Sequence, residues 1–298
     1  MMNEELKKQL RNRRICVVIP TYNNDKTIKT VVEKCLLYCD DVIVVTDGCT
    51  DRTTDILHAI DGITIVSYAQ NRGKGYALKM GFRKALEMGF SYAITLDGDG
   101  QHYPEDIPLF LKANQQHPQS LIIGSRQLEG VDRTKGSSFA NKFSNFWFYV
   151  QTGRALPDTQ TGYRLYPLHR LYGLSLLTSR YEAELELLVF ASWHGVKLVP
   201  IPIQVYYPPR NERVSHFRPG KDFARISVLN TVLCFLAVVY GLPLRLWRTL
   251  MTFLRTAYSL LFFLFFTLVV FTPFVWIYTK IGKMTERRRY RLHQLIYH

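Results

Sequence analysis

Five short apolar runs punctuate the first 124 residues, at 15–19, 42–45, 63–67, 92–96 and 121–124. Each is four or five residues long, rich in Val and Ile, and bounded by Pro, Gly, Asp or Thr, which marks a buried strand rather than a helix segment. Between them the apolar residues change to helical spacing. Residues 25–38 read as one helix, and the turn Asp47-Gly-Cys-Thr-Asp51 leads into a second. A third spans 73–88, with Ala77, Met80, Phe82, Ala85 and Leu86 apolar, and a fourth opens at Pro104, where a missing N–H costs nothing. Strands alternating with helices at this spacing predict βαβ units and a mostly parallel sheet, an α/β fold. Ligands of such sheets gather at the carboxyl ends of the strands. Pro20-Thr-Tyr-Asn23, Thr46-Asp-Gly48 and Asp97-Gly-Asp99 all lie at strand ends and are predicted to meet at one crevice.

The pattern changes in the last third. Residues 226–244 and 256–279 contain no charged residue, and each run can cross a hydrocarbon core of about 30 Å. Residues 245–255 hold three Arg between them, and 280–298 hold six Lys/Arg. A transmembrane helical hairpin returning to the cytosol keeps most of the basic residues inside. The first run contains Asn230, Gly241 and Pro243, and its alternative is to lie in the interface. Just before it, residues 206–225 carry Arg210, Arg213, Arg218, Lys221 and Arg225 among Tyr206, Tyr207, His216 and Phe217. Basic residues immediately ahead of an apolar helix suit lipid phosphate, the alternative being a solvated loop. The expected organisation is an α/β domain over 1–205, a basic interfacial loop over 206–225, and membrane helices with a basic tail over 226–298.

Charge supports this division. Of the net +14, most lies beyond residue 206, where 14 Lys/Arg face 3 Asp/Glu. Because this charge borders apolar spans and no recognition fold is present, nucleic acid is excluded as a partner and an anionic membrane favoured. Five cysteines without framework spacing do not form a disulfide scaffold, and Cys35 with Cys39 has no second pair to make a zinc site. Residues 1–14 are charged, lack an apolar core, and do not read as a signal peptide.

The chemistry concentrates at Leu96-Asp-Gly-Asp-Gly-Gln-His102. On an extended chain Asp97 and Asp99 share a face, and Gly98 and Gly100 let the backbone bend so that both converge. Two converging carboxylates repel unless a cation lies between them, and oxygen ligands suit Mg²⁺ or Mn²⁺, whose shell is completed by substrate phosphates. An Asp-Gly turn after a strand is the bland alternative. No Gly-x-Gly-x-x-Gly follows the first strand and no P-loop occurs, which argues against a dehydrogenase or P-loop hydrolase; Asn71-Arg-Gly-Lys-Gly75 opens a helix whose N-terminus would welcome an anion.

Six motifs then stand in order: Val-Val-Ile-Pro-Thr-Tyr-Asn23, Thr-Asp-Gly-Cys-Thr-Asp51, Asn71-Arg-Gly-Lys-Gly-Tyr-Ala-Leu78, Leu-Asp-Gly-Asp-Gly-Gln-His102, Gly124-Ser-Arg126 and Asp158-Thr-Gln-Thr-Gly-Tyr-Arg164. With them, roughly residues 16–205 resemble a family-2 glycosyltransferase of the GT-A (Rossmann-like) fold, in the branch of dolichyl-phosphate mannose synthase. The resemblance implies an inverting, metal-dependent transfer of a sugar from a nucleotide diphosphate donor, UDP- or GDP-linked. It implies donor contacts at Pro20, Tyr22, Asn23, Asp47, Lys74 and Asp97, a metal and diphosphate site at Asp97, Asp99 and Gln101, and an arginine near the phosphates at Arg126. Asn24 stands where the family often has Glu, and Thr46-Asp-Gly-Cys49 replaces the usual Asp-Asp-Gly-Ser; both bear on donor identity.

A general base is needed only for a hydroxyl acceptor. Glu184, then Glu182, in Tyr181-Glu-Ala-Glu-Leu-Glu186 are the candidates, with dipole-favoured acids at a helix start as the alternative. Lys74 either offsets phosphate charge or forms a salt bridge. Asp158, Gln160 and Arg164, with Arg213 and Ser215 of the basic loop, are expected on the acceptor side, the alternative for Asp158 and Arg164 being an internal ion pair. The expected protein is a multi-pass enzyme of the cell (inner) membrane with its catalytic domain cytoplasmic, able to form a homo-oligomer. It would act on a lipid acceptor, polyprenyl phosphate foremost. A hydroxyl or amine of a glycerolipid, aminolipid or glycan is the rival acceptor. A non-catalytic nucleotide-sugar-binding scaffold is the rival of another class.

Overall fold

A computed structural model describes residues 2–126, 135–174, 176–206, 219–273, 276 and 280. All five predicted strands form: β1 (Ile15–Thr21), β2 (Val42–Asp47), β3 (Ile63–Tyr68), β4 (Tyr92–Thr95) and β5 (Leu121–Arg126). Two more were not legible, β6 (Arg164–Pro167) and β7 (Leu198–Ile203). The sheet order is β3-β2-β1-β4-β6-β5-β7. β6 runs antiparallel to both β4 and β5, and the other pairings are parallel. The order reverses at β1, between β2 and β4, which opens the crevice anticipated at the strand ends. Pairing of β1 with β4 stops at Val18, so Pro20, which has no N–H to give, falls where the strand has lost that neighbour.

Alternate residues build two faces. Val17, Ile19, Val44 and Ile94 share one apolar core with Ile28 and Val32 of α2 (Ile28–Leu36) and Ile107 and Phe110 of α5 (Ile107–Gln116). Val18 and Val45 point the other way, against α4 (Lys74–Glu87) at Gly81. A short α1 (Met2–Asn12), α3 (Thr53–His58) and α7 (Leu168–Leu171) complete the sheet's surroundings. α6 (Lys135–Thr152), α8 (Glu182–Trp193) and α9 (Pro219–Leu236) pack on one another.

The chain divides into two compact units, Met1–Pro243 and Leu244–His298. The first extends past the expected boundary at residue 205, because Leu229, Asn230 and Leu233 of α9 are buried within it. Residues 219–225, expected as part of a loop, are helical. A π-helical turn, Ala237–Gly241, follows and lays Gly241 on Trp193. A Cβ on Gly241 would lie 2.6 Å from the Trp193 ring, whose Nε1 donates to the Gln151 carbonyl at 2.9 Å. Gly241→Ala should therefore lower stability by about 1–3 kcal/mol, the usual range for overpacking. A denaturant titration of the full chain in detergent measures it, and an unchanged midpoint would contradict the close packing.

The transmembrane helical hairpin is corrected. Its expected turn at 245–255 is helical, within α10 (Leu242–Phe265). Among the described residues one helix, Ala224–Phe265, is long and apolar enough to cross a membrane, which does not support the two-span, multi-pass arrangement. Spacing is the reason. Arg245, Arg248, Thr252 and Arg255 recur every three or four residues, so a helix gathers them in one stripe and no loop is needed to expose them. Thr249, Thr252 and Thr256 return their hydroxyls to the carbonyls four residues back.

Candidate active site

Asp47 ends β2 and accepts the N–H groups of Arg72 (2.7 Å) and Gly73 (2.8 Å). This clasp fixes the start of α4 and sets Lys74 in its first turn. Gly73 has φ +97°, and a side chain there would meet Arg180, so only glycine suits the position.

Lys74 Nζ lies 2.7 Å from Asp97 Oδ1 and 2.8 Å from Glu184 Oε2. Three elements thus converge through one ammonium: α4, the end of β4 and the first turn of α8. Burial by itself would favour the neutral amine, but the two carboxylates outweigh it and raise the Lys74 pKa, so the ammonium stays charged. Asp97 answers in kind: burial raises its pKa, while Lys74 above all holds it below the usual carboxylate range. His102 contributes no charge, because burial pushes its pKa down to about 4. Its Nδ1 accepts from the Asp97 N–H at 3.4 Å.

Asp99 is different. Burial and then the neighbouring Asp97 push its carboxyl up to about 6, although it accepts the Gln101 N–H at 3.0 Å. Among Asp97, Asp99 and Glu184 there are three carboxylates to one ammonium, an excess that a divalent cation with phosphate ligands would balance. Carboxylate and amide oxygens are donors that suit Mg²⁺ or Mn²⁺, and Asp97, Asp99 and Gln101 are the residues that would hold such an ion. Among the described residues no group of three or more His, Cys, Asp or Glu is placed to hold a metal ion, so the shell would depend on Gln101 and on phosphate oxygens. Asp99 and Gln101 line a cavity of about 660 Å³ whose other wall includes Asn23, Lys26 and Lys34. Tyr206 also borders it, donating its N–H to the Gln101 carbonyl at 2.8 Å.

The Thr161-Gly-Tyr163 segment enters this centre because β6 inserts beside β4. Thr95 Oγ1 donates to the Gly162 carbonyl at 2.7 Å. A Cβ at Gly162 would lie 2.7 Å from Lys74 Nζ and 2.8 Å from Asp97 Oδ2. Gly162→Ala should push the ammonium off Asp97 and cost at least tenfold in catalytic activity, with a shift of at most about 2 kcal/mol in unfolding. Retention of full activity would show that the bridge is dispensable.

Several expected residues come out elsewhere. Arg126 Nε and Nη2 bind Asp158 Oδ2 (2.6 Å) and Oδ1 (2.9 Å), and Asn141 Nδ2 and the Gln160 N–H reach the same carboxylate. Asp158, buried and with a pKa that Arg126 holds low against burial, forms the internal ion pair that was the alternative to an acceptor contact. Arg164 is 0% exposed and donates to the carbonyls of Glu184 (2.9 Å) and Thr159 (2.9 Å), which accords with an internal role as the alternative given for it. A guanidinium so enclosed holds the start of α8 in place. Gln160 is exposed. Pro20 is buried in β1, while Tyr22 and Asn23 are half-buried at its end, Asn23 held by Thr50 N (2.8 Å). Glu182 is buried on the opposite side of α8 from Glu184, with one carboxylate oxygen unpartnered. Arg213 and Ser215 lie outside the described residues. Sequence reasoning missed Gly162 and Glu186; the latter accepts from Thr178 N (2.9 Å) and Thr178 Oγ1 (2.6 Å) and pins the loop before α8. Both lie in motifs quoted above, but their roles depend on partners, Lys74 and Asp97 for Gly162 and Thr178 for Glu186, that the motifs do not name.

Residues 16–167 match the family model described as Glycosyl transferase family 2. UDP-N-acetylglucosamine–dolichyl-phosphate N-acetylglucosaminyltransferase of Methanococcus voltae is 28% identical over 216 residues, 65% of this chain and 86% of that protein. Polyprenol monophosphomannose synthase of Mycolicibacterium smegmatis is 30% identical over 208 residues, 64% of this chain and 77% of that protein. The fold is similar to that of glucosyl-3-phosphoglycerate synthase from Mycobacterium tuberculosis, solved with Mn²⁺, uridine diphosphate and phosphoglyceric acid. That likeness has a TM-score of 0.59 at 19% identity and covers 79% of this chain and 82% of the solved one.

Proposed function

Since this chain belongs to glycosyl transferase family 2, we propose that it moves a sugar, with inversion, from a nucleotide diphosphate donor to a polyprenyl phosphate at a membrane. The observation that carries this reading is the gathering of Asp97, Asp99 and Glu184 around Lys74, whose ammonium pairs with Asp97 and Glu184 and leaves negative charge in excess. A divalent ion held there would draw charge from the leaving nucleoside diphosphate. The chain's own residues do the rest. Asp47 fixes Lys74 at the helix start, and Lys74 orders the two carboxylates. Gly162 keeps the space above them free of a side chain.

Uridine diphosphate is favoured as the leaving group, because the Methanococcus voltae relative takes its name from a UDP-sugar. A phosphate acceptor is supported twice. Both curated relatives are named for polyprenyl-type acceptors. Glu184, the first candidate base, already engages Lys74, which suits an acceptor that is ionised beforehand. Tyr206 is tied to Gln101 at the cavity, and the sequence after it is rich in Arg and Lys, a charge that suits an anionic acceptor. The helix Ala224–Phe265 would anchor the chain in the cell membrane, and the excess of basic residues around it favours a cytoplasmic catalytic unit.

The test is to give the detergent-solubilised full chain a panel of UDP- and GDP-sugars with a membrane lipid extract and to analyse products by mass spectrometry. One acid-labile sugar-phosphate-polyprenol is expected. Transfer to a hydroxyl or amine lipid would replace the acceptor assignment, and donor binding without any product would support the scaffold instead.

A further inference from the structure

α6 is built inside out for a helix in water. Among its described side chains the buried ones are Asn141, Ser144, Phe148, Gln151 and Thr152, of which only Phe148 is apolar. Their polar groups are used internally: Asn141 donates to Asp158 (3.1 Å), Ser144 pairs with Thr159 (2.7 Å), and Gln151 donates to Asn230 of α9 (2.9 Å). The face turned outward is the apolar one. Phe139 is 60% exposed, Phe146 57%, Tyr149 56% and Val150 49%. Phe139, Phe143, Phe146 and Val150 recur at four, three and four residues, which places them in one stripe. A contiguous aromatic face is rarely left to water, and a helix with this reversed polarity is at rest when its outer solvent is apolar.

We propose that this face of α6 seats the catalytic unit in the polar–apolar boundary of a lipid bilayer, a partner that follows from the membrane-bound transfer proposed above. Lipid is favoured over other occupants by the helix next to it. α9, joined to α6 through Gln151 and Asn230, also turns apolar residues outward, with Val228 and Phe235, and Val238 of the π-helical turn after it, each about two-thirds exposed. The same helix opens the run Ala224–Phe265 that can cross a membrane. Exposed Lys142 shares the face, and α6 contains no acid, which suits anionic headgroups. Rings of Phe and Tyr at the edge of the acyl region are the usual content of such a contact.

The full chain carrying Cys49→Ser and Cys234→Ser is given a nitroxide at Phe139→Cys, Phe146→Cys or, as a water-facing reference, Tyr172→Cys. It is then reconstituted in phosphatidylcholine vesicles containing phosphatidylglycerol. Labels at 139 and 146 should collide more with dissolved oxygen than with a water-soluble nickel chelate, and the label at 172 should do the reverse. Labels at 139 and 146 that behave like the one at 172 would overturn the proposal. So would dipolar broadening between copies with access to neither reagent, which would assign the face to a second copy of the chain. A Phe139→Ser/Phe146→Ser variant should raise KM for a vesicle-embedded acceptor several-fold with kcat and donor KM unchanged. Labels found immersed in a chain that transfers no sugar would sink the transfer reading and leave this one standing.

Discussion

Replacing Lys74 with Met should abolish transfer and lower stability by about 3–5 kcal/mol, the range seen when one partner of a buried charge pair is removed. The cause is asymmetric. With the ammonium gone, Asp97 and Glu184 remain enclosed and face each other across the space it filled, 2.7 and 2.8 Å from each. Their side chains are 26% and 9% exposed, too little for water to take over. Adding Glu184→Gln to Lys74→Met should restore part of the stability and none of the activity, since the second change removes one unbalanced charge and supplies no cation. Lys74→Arg should keep more stability than Met yet stay inactive, because the broader guanidinium must fit beside Gly162, where even a methyl group meets Lys74 Nζ at 2.7 Å. Denaturant titrations and product formation on the same preparations decide this; a Met variant that unfolds within about 1 kcal/mol of the parent would mean the bridge contributes little.

Asp99→Asn separates function from stability in the opposite direction. Transfer should fall by roughly a hundredfold to ten-thousandfold, the several kcal/mol that a Lewis-acid site supplies at a departing phosphate. Stability in chelator should rise at pH 7. The folded Asp99 carboxyl is raised to about 6 from its ordinary 3.8, through burial and Asp97. A group raised on folding contributes fully below its unfolded pKa, and that contribution is lost as pH climbs through its folded value. The Asn side chain loses nothing over that interval. The variant's advantage should therefore open between about pH 4 and pH 6 and stay level above. Unfolding midpoints measured across that window test it, and a variant less stable than the parent at pH 7 would show that Asp99 is not under repulsion. A residue that costs stability where it stands is what an active site is expected to contain.

Much of the catalytic fold was legible because its signals are local. β1, β2 and β4 are continuous apolar runs buried on both faces, and α4 and α5 begin at a glycine turn and a proline that mark helix starts. β6 escaped because its four residues include Arg164 and Pro167, and it is a strand only by virtue of pairing with both β4 and β5. β7 escaped because its sequence, Leu-Val-Pro-Ile-Pro-Ile, carries two prolines that demote a strand unless it lies at an edge, as it does. In the tail, charge-free stretches were read as two spans because the arginines between them looked like a boundary. Helical spacing had already arranged those arginines into a stripe. The same polarity logic was available for α6, but a helix with aromatic and polar faces does not say which of them will be covered.

By itself the sequence determined the alternation of strands and helices, the strand ends where acidic and glycine residues gather, and the apolar tail, since each depends on periodicities of two or of about four residues. Only the tertiary structure decided what each charge is for. Asp97 and Glu184 meet on Lys74, Asp158 closes on Arg126, and Arg164 disappears beneath α8. A carboxylate reads the same along the chain whether it will face a substrate or an arginine, because its partner is chosen by the close packing of segments far apart in sequence.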